Sequence, residues 1–266
     1  MDDRVRIVAA RLEEARRTGK KVPRLTDDLR PRDEKEAALV RDAVMRLRKS
    51  RHVGWKVALS PAGEVIASPI LSDGLLTSPA HISNLQTASL GIETELAFRM
   101  KRAFPATGET VTGQSTLDAV DAVMPALELL DSRYETGFDS PRLDLLADHL
   151  GNFGIVLGTT LQDWRERVLA TVAISLALAG PTSETVSGAH PLGDPIAPLV
   201  AFASHLARHG HSIAPGDVVI TGSWTGVRRV YAGNHAMVKV DDTVMLELSV
   251  GDPAPHNGRG TKDARG

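Results

Sequence analysis

The chain has 266 residues, and its 31 lysines and arginines stand against 33 aspartates and glutamates, which gives a formal net charge of −2. This balance lacks the basic signature of nucleic-acid binding or of binding to an anionic membrane surface, so we expect neither partner. The absence of cysteine excludes disulfides, thiolate metal sites and cysteine nucleophiles, so any metal must be held by oxygen or imidazole ligands.

The N-terminal residues carry charges instead of the apolar core of a signal peptide, and no segment reaches the roughly 18 apolar residues of a membrane span, so we expect a cytoplasmic protein. Apolar residues recur at helical spacing over residues 4–18, and Gly19 ends this predicted helix. A second predicted helix opens at Asp33, and its apolar stripe consists of Leu39, Val40, Ala43, Val44 and Leu47. The two helices predict a helical N-terminal cap over residues 1–50 that supports folding and assembly and contributes no group that touches a substrate.

Beyond residue 50 the pattern changes to short apolar runs bounded by Gly, Pro, Asn and Ser, which predicts a strand-rich domain over residues 51–250. Every second residue of the segment Val168–Ala179 is apolar, which favours a strand that turns at Gly180. The last residues, 251–266, are rich in glycine, proline and charge, so we expect a flexible tail.

Three glutamates stand out as candidate metal ligands. Glu93 and Glu95 are two residues apart in a predicted strand, so their side chains leave the same face. Glu128 interrupts an apolar run, where a buried acid needs a compensating partner. Three carboxylates suit a hard divalent ion and leave open positions for a chelating substrate. The residues alone also fit a solvated strand face for the pair and a salt-bridged or surface-pointing Glu128.

Lys56 is a charge inside the apolar run 54–59, where it is either an anchor for a substrate carboxylate or a surface lysine that buries only its stem. Other chemistry is missing from the sequence. There is no Gly-x-Ser-x-Gly, no His-Glu-x-x-His, no Gly-x-Gly-x-x-Gly and no P-loop, so the known serine-hydrolase, zinc-protease and nucleotide-binding signatures are absent.

The candidate residues lie in a specific series of short motifs. In chain order these are Gly-Trp-Lys56-Val-Ala-Leu, Ile-Glu93-Thr-Glu95-Leu-Ala-Phe, Met-Pro-Ala-Leu-Glu128-Leu-Leu-Asp-Ser-Arg133, Ala-Asp148-His, Ala-His190-Pro-Leu and Gly-Asp217-Val-Val-Ile-Thr-Gly-Ser223. Over residues 5–250 the chain thereby resembles the 2-oxopent-4-enoate hydratase and 4-oxalocrotonate decarboxylase family, which belongs to the fumarylacetoacetate hydrolase superfamily.

The resemblance implies an α+β fold, with a mixed β roll of the fumarylacetoacetate hydrolase C-terminal type, flanking helices and a small helical N-terminal region. It also implies that Glu93, Glu95 and Glu128 bind Mg²⁺ or Mn²⁺ and that Lys56 lies beside a chelated substrate. The candidates for orientation or proton transfer are Lys56, Asp148 and Ser223, and Lys56 and Ser223 are the candidates for substrate binding. Family members assemble as homo-oligomers, which we expect here too.

The activity implied is that of a metal-dependent hydratase of aromatic catabolism, which adds water at C4 of a 2-hydroxy-2,4-dienoate and gives a 4-hydroxy-2-oxo acid. A 2-oxo acid decarboxylase would use the same metal chemistry, and acylpyruvate C–C hydrolysis or non-catalytic binding of an oxo acid are further alternatives. Two departures from the family pattern bear on the substrate. Leu90-Gly91 replaces Pro-Arg before the first metal glutamate, and His149-Leu150-Gly151 replaces Asn-Ala-Ser after Asp148. The family's acidic residue after the lysine motif has only Asp73 as a candidate.

Overall fold

Two β-sheets and five α-helices make up the part of the protein that its computed structural model describes, residues 2–83, 85, 87–181 and 184–251. The helices are α1 (Asp3–Thr18), α2 (Glu34–Arg48), α3 (Gly113–Asp118), α4 (Arg142–Ala147) and α5 (Ala197–Arg208). The strands are β1 (His52–Leu59), β2 (Val65–Leu71), β3 (Leu75–Thr77), β4 (Ala80–Ile82), β5 (Leu90–Met100), β6 (Val120–Leu130), β7 (Asn152–Leu157), β8 (Ile174–Ala179), β9 (Glu184–Gly188), β10 (Val218–Ile220), β11 (Arg228–Val230), β12 (His235–Val240) and β13 (Thr243–Val250). The tail predicted over residues 251–266 lies outside the described residues from position 252 onward.

The larger sheet has eight strands and mixes parallel with antiparallel pairing. Its main path follows the order β2-β1-β10-β5-β6-β7-β3, and β11 also pairs with β5. The pairs β1–β10 and β3–β7 are parallel, whereas β5 runs antiparallel to β6, β10 and β11. The smaller sheet has five strands in the order β4-β13-β12-β8-β9. This architecture confirms the predicted α+β class with mixed sheets and few helices.

The two faces of the larger sheet have different surroundings, because successive residues of a strand point to opposite faces. One face packs against the smaller sheet, and the core that both sheets share includes Ile92, Leu96, Leu127, Leu176 and Val238. The opposite face carries a second apolar cluster that includes Ile70, Ala97, Met124, Ala126 and Ile220. Glu93, Glu95 and Glu128 alternate with the residues of the shared core, so they lie on this second face, which we call the carboxylate face.

Helices α1 and α2 form a separate small core, as the apolar spacing predicts. Asp33 caps α2 by accepting a hydrogen bond from the backbone N–H of Glu36, and Gly19 ends α1 in the left-handed conformation with φ 74°. The small core also takes in residues from beyond position 130, namely Tyr134, Leu146 and Ala147. The division of the chain at residue 50 stays a prediction. None of the helices in the described ranges is long and apolar enough to cross a membrane.

Two residues of the stripe predicted for α2, Leu39 and Leu47, are exposed in the single chain. Leu39 is 44% exposed and Leu47 is 52% exposed, while Val40 and Val44 are buried. Leu39 is rotated by about 100° from Val40 around the helix, which turns it off the buried side. Leu47 lies in the last turn, close to the end of the helix at Arg48.

The strand predicted over Val168–Ala179 is wrong in its first part. Residues Leu169–Thr171 form a single turn of 3₁₀ helix, and the strand begins only at Ile174. Leu169 and Val172, three residues apart, are buried, whereas Val168 is 66% exposed. A period of three buries these side chains, so the alternating apolar residues before Ile174 do not form a pleat.

Candidate metal centre

The three glutamates meet on neighbouring antiparallel strands. Glu93 of β5 lies directly opposite Glu128 of β6, and Glu95 lies opposite Ala126. Because all three side chains leave the carboxylate face, one carboxylate oxygen of each lies within 4.8 Å of the others. Glu95 is 4% exposed and Glu128 is 1% exposed, so two of the three acids are removed from solvent. This geometry can hold one divalent ion through direct oxygen contacts.

The electrostatics of the cluster favour a cation at its centre. Burial raises the pKa of Glu95 well above its usual value, and the neighbouring charge of Glu128 raises it further. Burial also raises the pKa of Glu93, and Glu128 again adds to the effect. Like charges at such close range disfavour the ionised forms unless a proton or a cation lies between them.

Each buried carboxylate is held by a donor from a distant part of the chain. The backbone N–H of Gly222 donates to Oε2 of Glu95 at 2.6 Å. The side-chain amide Nδ2 of Asn152 donates to Oε1 of Glu128 at 2.8 Å. These donors fix one oxygen of each acid and leave the other free for a ligand.

Lys56 lies within the carboxylate cluster and not at the surface. Its Nζ is 2.8 Å from Oε1 of Glu128, and its side chain is only 17% exposed. The same Nζ donates to the backbone carbonyl of Leu150 at 3.4 Å. The segment that departs from the family pattern after Asp148 therefore supplies partners to both Lys56, through Leu150, and Glu128, through the Asn152 that follows it.

Asp148 is buried in an ion pair with Arg133. One carboxylate oxygen accepts from Nε of Arg133, and the other accepts from the backbone N–H of Arg133 at 2.9 Å and from the hydroxyl of Ser132 at 3.3 Å. Arg133 also donates through Nη1 to the carbonyl of Asn152 at 3.1 Å. These contacts connect Asp148 to the cluster through Asn152, and a part for Asp148 in proton transfer stays a prediction.

Ser223 lies beside Glu93 in the loop that follows β10. Its Oγ is buried and makes no hydrogen bond of favourable geometry within the described ranges. It is nevertheless close enough to Glu93 to lower the pKa of that carboxyl, an effect smaller than those of burial and of Glu128. The hydroxyl is therefore free to turn towards a bound molecule.

His190 packs against this loop and contacts its backbone at Thr221. Its Nε2 lies 3.0 Å from the carbonyl of Thr221, its Nδ1 accepts from the backbone N–H of Leu192 at 3.3 Å, and its ring packs edge-on against Trp224 at 4.9 Å. Burial lowers the pKa of His190, so the ring is neutral and donates to Thr221. Thr221 is followed by Gly222, which donates to Glu95, and by Ser223, which lies beside Glu93, so His190 holds the loop that carries both.

Sequence reasoning missed Asn152 and Arg16. Arg16 of α1 donates through Nη1 to the carbonyl of Asn152 at 2.9 Å and through Nη2 to the carbonyl of Phe153. The signal available was position, since Arg16 follows Leu12 by four residues and so lies on the edge of the buried stripe. Asp73, the other sequence candidate, forms an ion pair with Arg48 and accepts from the hydroxyl of Ser50 at 2.7 Å.

The chain is similar in sequence and fold to several known proteins. A family model described as the fumarylacetoacetate (FAA) hydrolase C-terminal domain matches residues 40–259. A 4-oxalocrotonate decarboxylase of a Pseudomonas species is 29% identical over 263 residues, covering 91% of this chain and 96% of its own. A 2-keto-4-pentenoate hydratase of Burkholderia vietnamiensis is 29% identical over 256 residues, covering 90% and 95%. The structure of 4-oxalocrotonate decarboxylase from Pseudomonas putida G7, complexed with magnesium and adipate, shares the fold with a TM-score of 0.79 at 21% identity, covering 93% of this chain and 97% of its own.

Proposed function

Because the chain belongs to the fumarylacetoacetate hydrolase family, we propose that it is a divalent-metal-dependent hydratase that adds water to a 2-hydroxy-2,4-dienoate, giving a 4-hydroxy-2-oxo acid. One observation carries the proposal. Glu93, Glu95 and Glu128 meet within 4.8 Å, and Lys56 lies 2.8 Å from Glu128. Relatives named as 2-keto-4-pentenoate hydratases support the choice of reaction.

The residues fit Mg²⁺ or Mn²⁺. All the candidate ligands are carboxylate oxygens, which these ions prefer, and the raised pKa values of Glu93 and Glu95 are those of acids that need a cation. A bound ion of this kind would supply Lewis-acid polarisation of a chelated 2-oxo acid. Solved relatives with magnesium, calcium or Mn²⁺ support a divalent ion of this class.

Lys56 and Ser223 have the chemistry to orient the substrate. The ammonium of Lys56 lies at the edge of the cluster, where it can attract a substrate carboxylate or enolate oxygen. The buried hydroxyl of Ser223 can donate to an oxygen of the same molecule or hold the attacking water. Asp148, paired with Arg133, keeps Asn152 in place and thereby keeps Glu128 aimed at the centre.

Decarboxylation of a 2-oxo dicarboxylic acid is the second candidate function. It is supported by relatives named as 4-oxalocrotonate decarboxylases and by a neighbouring structure of that name with adipate. The demands on this chain's residues are the same, because both reactions require a cationic site that stabilises negative charge near the 2-oxo group. Acylpyruvate hydrolysis and non-catalytic binding of an oxo acid remain as the other outcomes of the test.

The test is product analysis by mass. Purified protein is incubated with Mg²⁺ or Mn²⁺ and, in separate reactions, with a series of 2-hydroxy-2,4-dienoates, with 4-oxalocrotonate and with an acylpyruvate. We expect the product to gain one water in the wild type. Glu95→Gln should abolish this hydration, whereas the control Glu64→Gln, which changes an exposed glutamate outside the cluster, should retain it. Loss of carbon dioxide would refute the hydratase and indicate a decarboxylase. Cleavage to two acids would indicate hydrolysis, and binding without turnover would indicate a binding protein. Assembly as a homo-oligomer and a place in the cytoplasm stay predictions.

A further inference from the structure

A second positively charged side chain, that of Arg229, lies on the carboxylate face, at the opposite end from Lys56. The short strand β11 pairs with the start of β5, so that Arg229 lies directly opposite Gly91 and Arg228 lies opposite Ile92. Gly91 precedes Glu93 by two residues and shares its face. Residues directly opposite in a sheet also share a face, so Arg229 lies on the carboxylate face.

The neighbours of Arg229 in β11 support this orientation independently. Val230 is fully buried in the core between the two sheets. Nε of Arg228 lies 3.7 Å from Glu184 of the smaller sheet. Arg228 and Val230 therefore face the smaller sheet, and the pleat turns the exposed Arg229 to the other side.

The guanidinium of Arg229 is within reach of the centre. Arg229 is the diagonal neighbour of Glu93, and diagonal neighbours on one sheet face lie about 7 to 8 Å apart, a span that long side chains cover. Gly91 itself has no side chain, but a Cβ added there would lie 3.1 Å from Cγ1 of Val227 and from Cβ of Leu130, so the path from Arg229 to Glu93 runs past these two residues. In the part of the chain that the structure describes, the Arg229 guanidinium makes neither an ion pair nor a hydrogen bond, so it is available to a ligand.

The positions of the two positively charged side chains, Lys56 and Arg229, suit two separate negative groups of a ligand. Lys56 pairs in register with Ile220, which pairs with Ala97, so it lies beyond Glu95, whereas Arg229 lies before Glu93. Lys56 is already engaged with Glu128. Lys56 and a divalent ion lie among the three carboxylates and balance their charge, so of these positive groups Arg229 is the one whose charge remains for an anionic group before Glu93.

We propose that Arg229 binds the second carboxylate of the substrate, so that the site takes 2-oxo dicarboxylic acids in preference to 2-oxo monocarboxylic acids. The inference rests on the proposed function, because it places the first carboxylate and the 2-oxo group at the metal centre. A guanidinium matches a carboxylate through two parallel N–H donors, which gives both affinity and directionality. The preference applies whether the reaction is addition of water or loss of carbon dioxide.

The experiment compares two probes of equal chain length by calorimetry on the protein loaded with Mg²⁺. The probes are 2-oxohexanedioate, which has a second carboxylate, and 2-oxohexanoate, which has a methyl group in its place. We expect the wild type to bind the diacid about tenfold or more tightly than the monoacid, since one charge-assisted pair is worth at least that factor. Arg229→Gln should remove the difference by weakening only the diacid. The control Arg228→Gln, on the other face of the same strand, should keep it.

Each other outcome overturns the proposal in a recognisable way. Equal binding of both probes by the wild type would refute the second carboxylate subsite and leave the proposed function intact. An equal loss for both probes in Arg229→Gln would assign Arg229 to the shared 2-oxo acid group instead. If the wild type bound Mg²⁺ but neither probe, the proposed function and this inference would fail together. Arg229→Lys, which keeps the charge and loses the fork of donors, should retain part of the preference if the inference is correct.

Discussion

Arg16 connects the first helix to the residues that orient Glu128, and replacing it with alanine tests that connection. In the wild type its guanidinium donates to the carbonyls of Asn152, at 2.9 Å, and Phe153. Asn152 in turn donates to Oε1 of Glu128 at 2.8 Å. Arg16→Ala therefore frees the start of β7 on the side of the metal ligand, although Arg16 itself touches no candidate ligand.

The size of the effect follows from these contacts. A hydrogen bond from a charged donor contributes about 1.5 to 3 kcal/mol, so the two bonds contribute about 3 to 6 kcal/mol in total. Part of this is offset, because burial and the nearby charge of Arg133 disfavour the protonated guanidinium and lower the pKa of Arg16. We expect the free energy of unfolding to fall by about 2 to 4 kcal/mol. Loss of support for a ligand's hydrogen-bond partner typically weakens metal binding by about tenfold or more, which we expect for Mg²⁺.

Urea unfolding of the metal-free protein and calorimetric titration with Mg²⁺ measure these two quantities. Arg17→Ala is the matched control, because Arg17 is the adjacent residue in α1, carries the same charge and is exposed. This control should change the free energy of unfolding by about 0.5 kcal/mol or less and leave the Mg²⁺ affinity as it was. If Arg16→Ala behaved like Arg17→Ala in both measurements, the proposed link from α1 through Asn152 to Glu128 would be refuted.

Three further predictions concern the centre itself. Lys56→Met should lower turnover by about a hundredfold while Mg²⁺ affinity stays within a few fold, and an unchanged rate would remove Lys56 from the reaction. The pKa values of Glu93 and Glu95 are raised above the ordinary glutamate value of 4.5, so at a pH above 4.5 the folded protein binds more protons than the unfolded chain. The melting temperature of the metal-free protein should therefore fall as the pH rises above this value. Over the same range the rise in melting temperature on adding Mg²⁺ should grow, and a rise independent of pH would argue against these acids as ligands. His190→Ala should weaken Mg²⁺ binding severalfold because Thr221 loses its donor and Gly222 then holds Glu95 less firmly, whereas the exposed His211→Ala should have no effect on the titration.

The candidate ligands could be predicted because strand geometry acts locally. A spacing of two puts Glu93 and Glu95 on one face without knowledge of any other strand, and an acid in an apolar run marks Glu128 as buried. The register that places Glu93 opposite Glu128 could not be predicted, since it depends on long-range pairing. The family resemblance supplied that step, and the burial of Lys56 beside Glu128 was likewise beyond the residues alone.

The errors in the predicted elements have a common physical source. An apolar residue at the correct spacing is buried only where another element covers it. Leu39 lies outside the strip of α2 that is covered, and Val168 belongs to a turn that buries its neighbour Leu169 instead. Arg16 shows the converse, because a charge on the edge of an apolar stripe finds backbone carbonyls of a strand far away in the sequence. Such partners are set by tertiary packing, which local periodicity does not contain.

The carboxylate face is better explained by ligand binding than by stability. Two nearly buried acids with a third beside them cost free energy, and a single lysine at 2.8 Å from Glu128 does not neutralise all three. An apolar cluster continues on the same face with Ala97, so aliphatic side chains would fit the surroundings at no such cost. The acids are nevertheless held by donors from two distant segments, at Gly222 and Asn152, which fix their direction without cancelling their charge. A cation that binds such a site offsets the repulsion among its acids and stabilises the folded state, which couples the stability of the fold to occupancy of the centre.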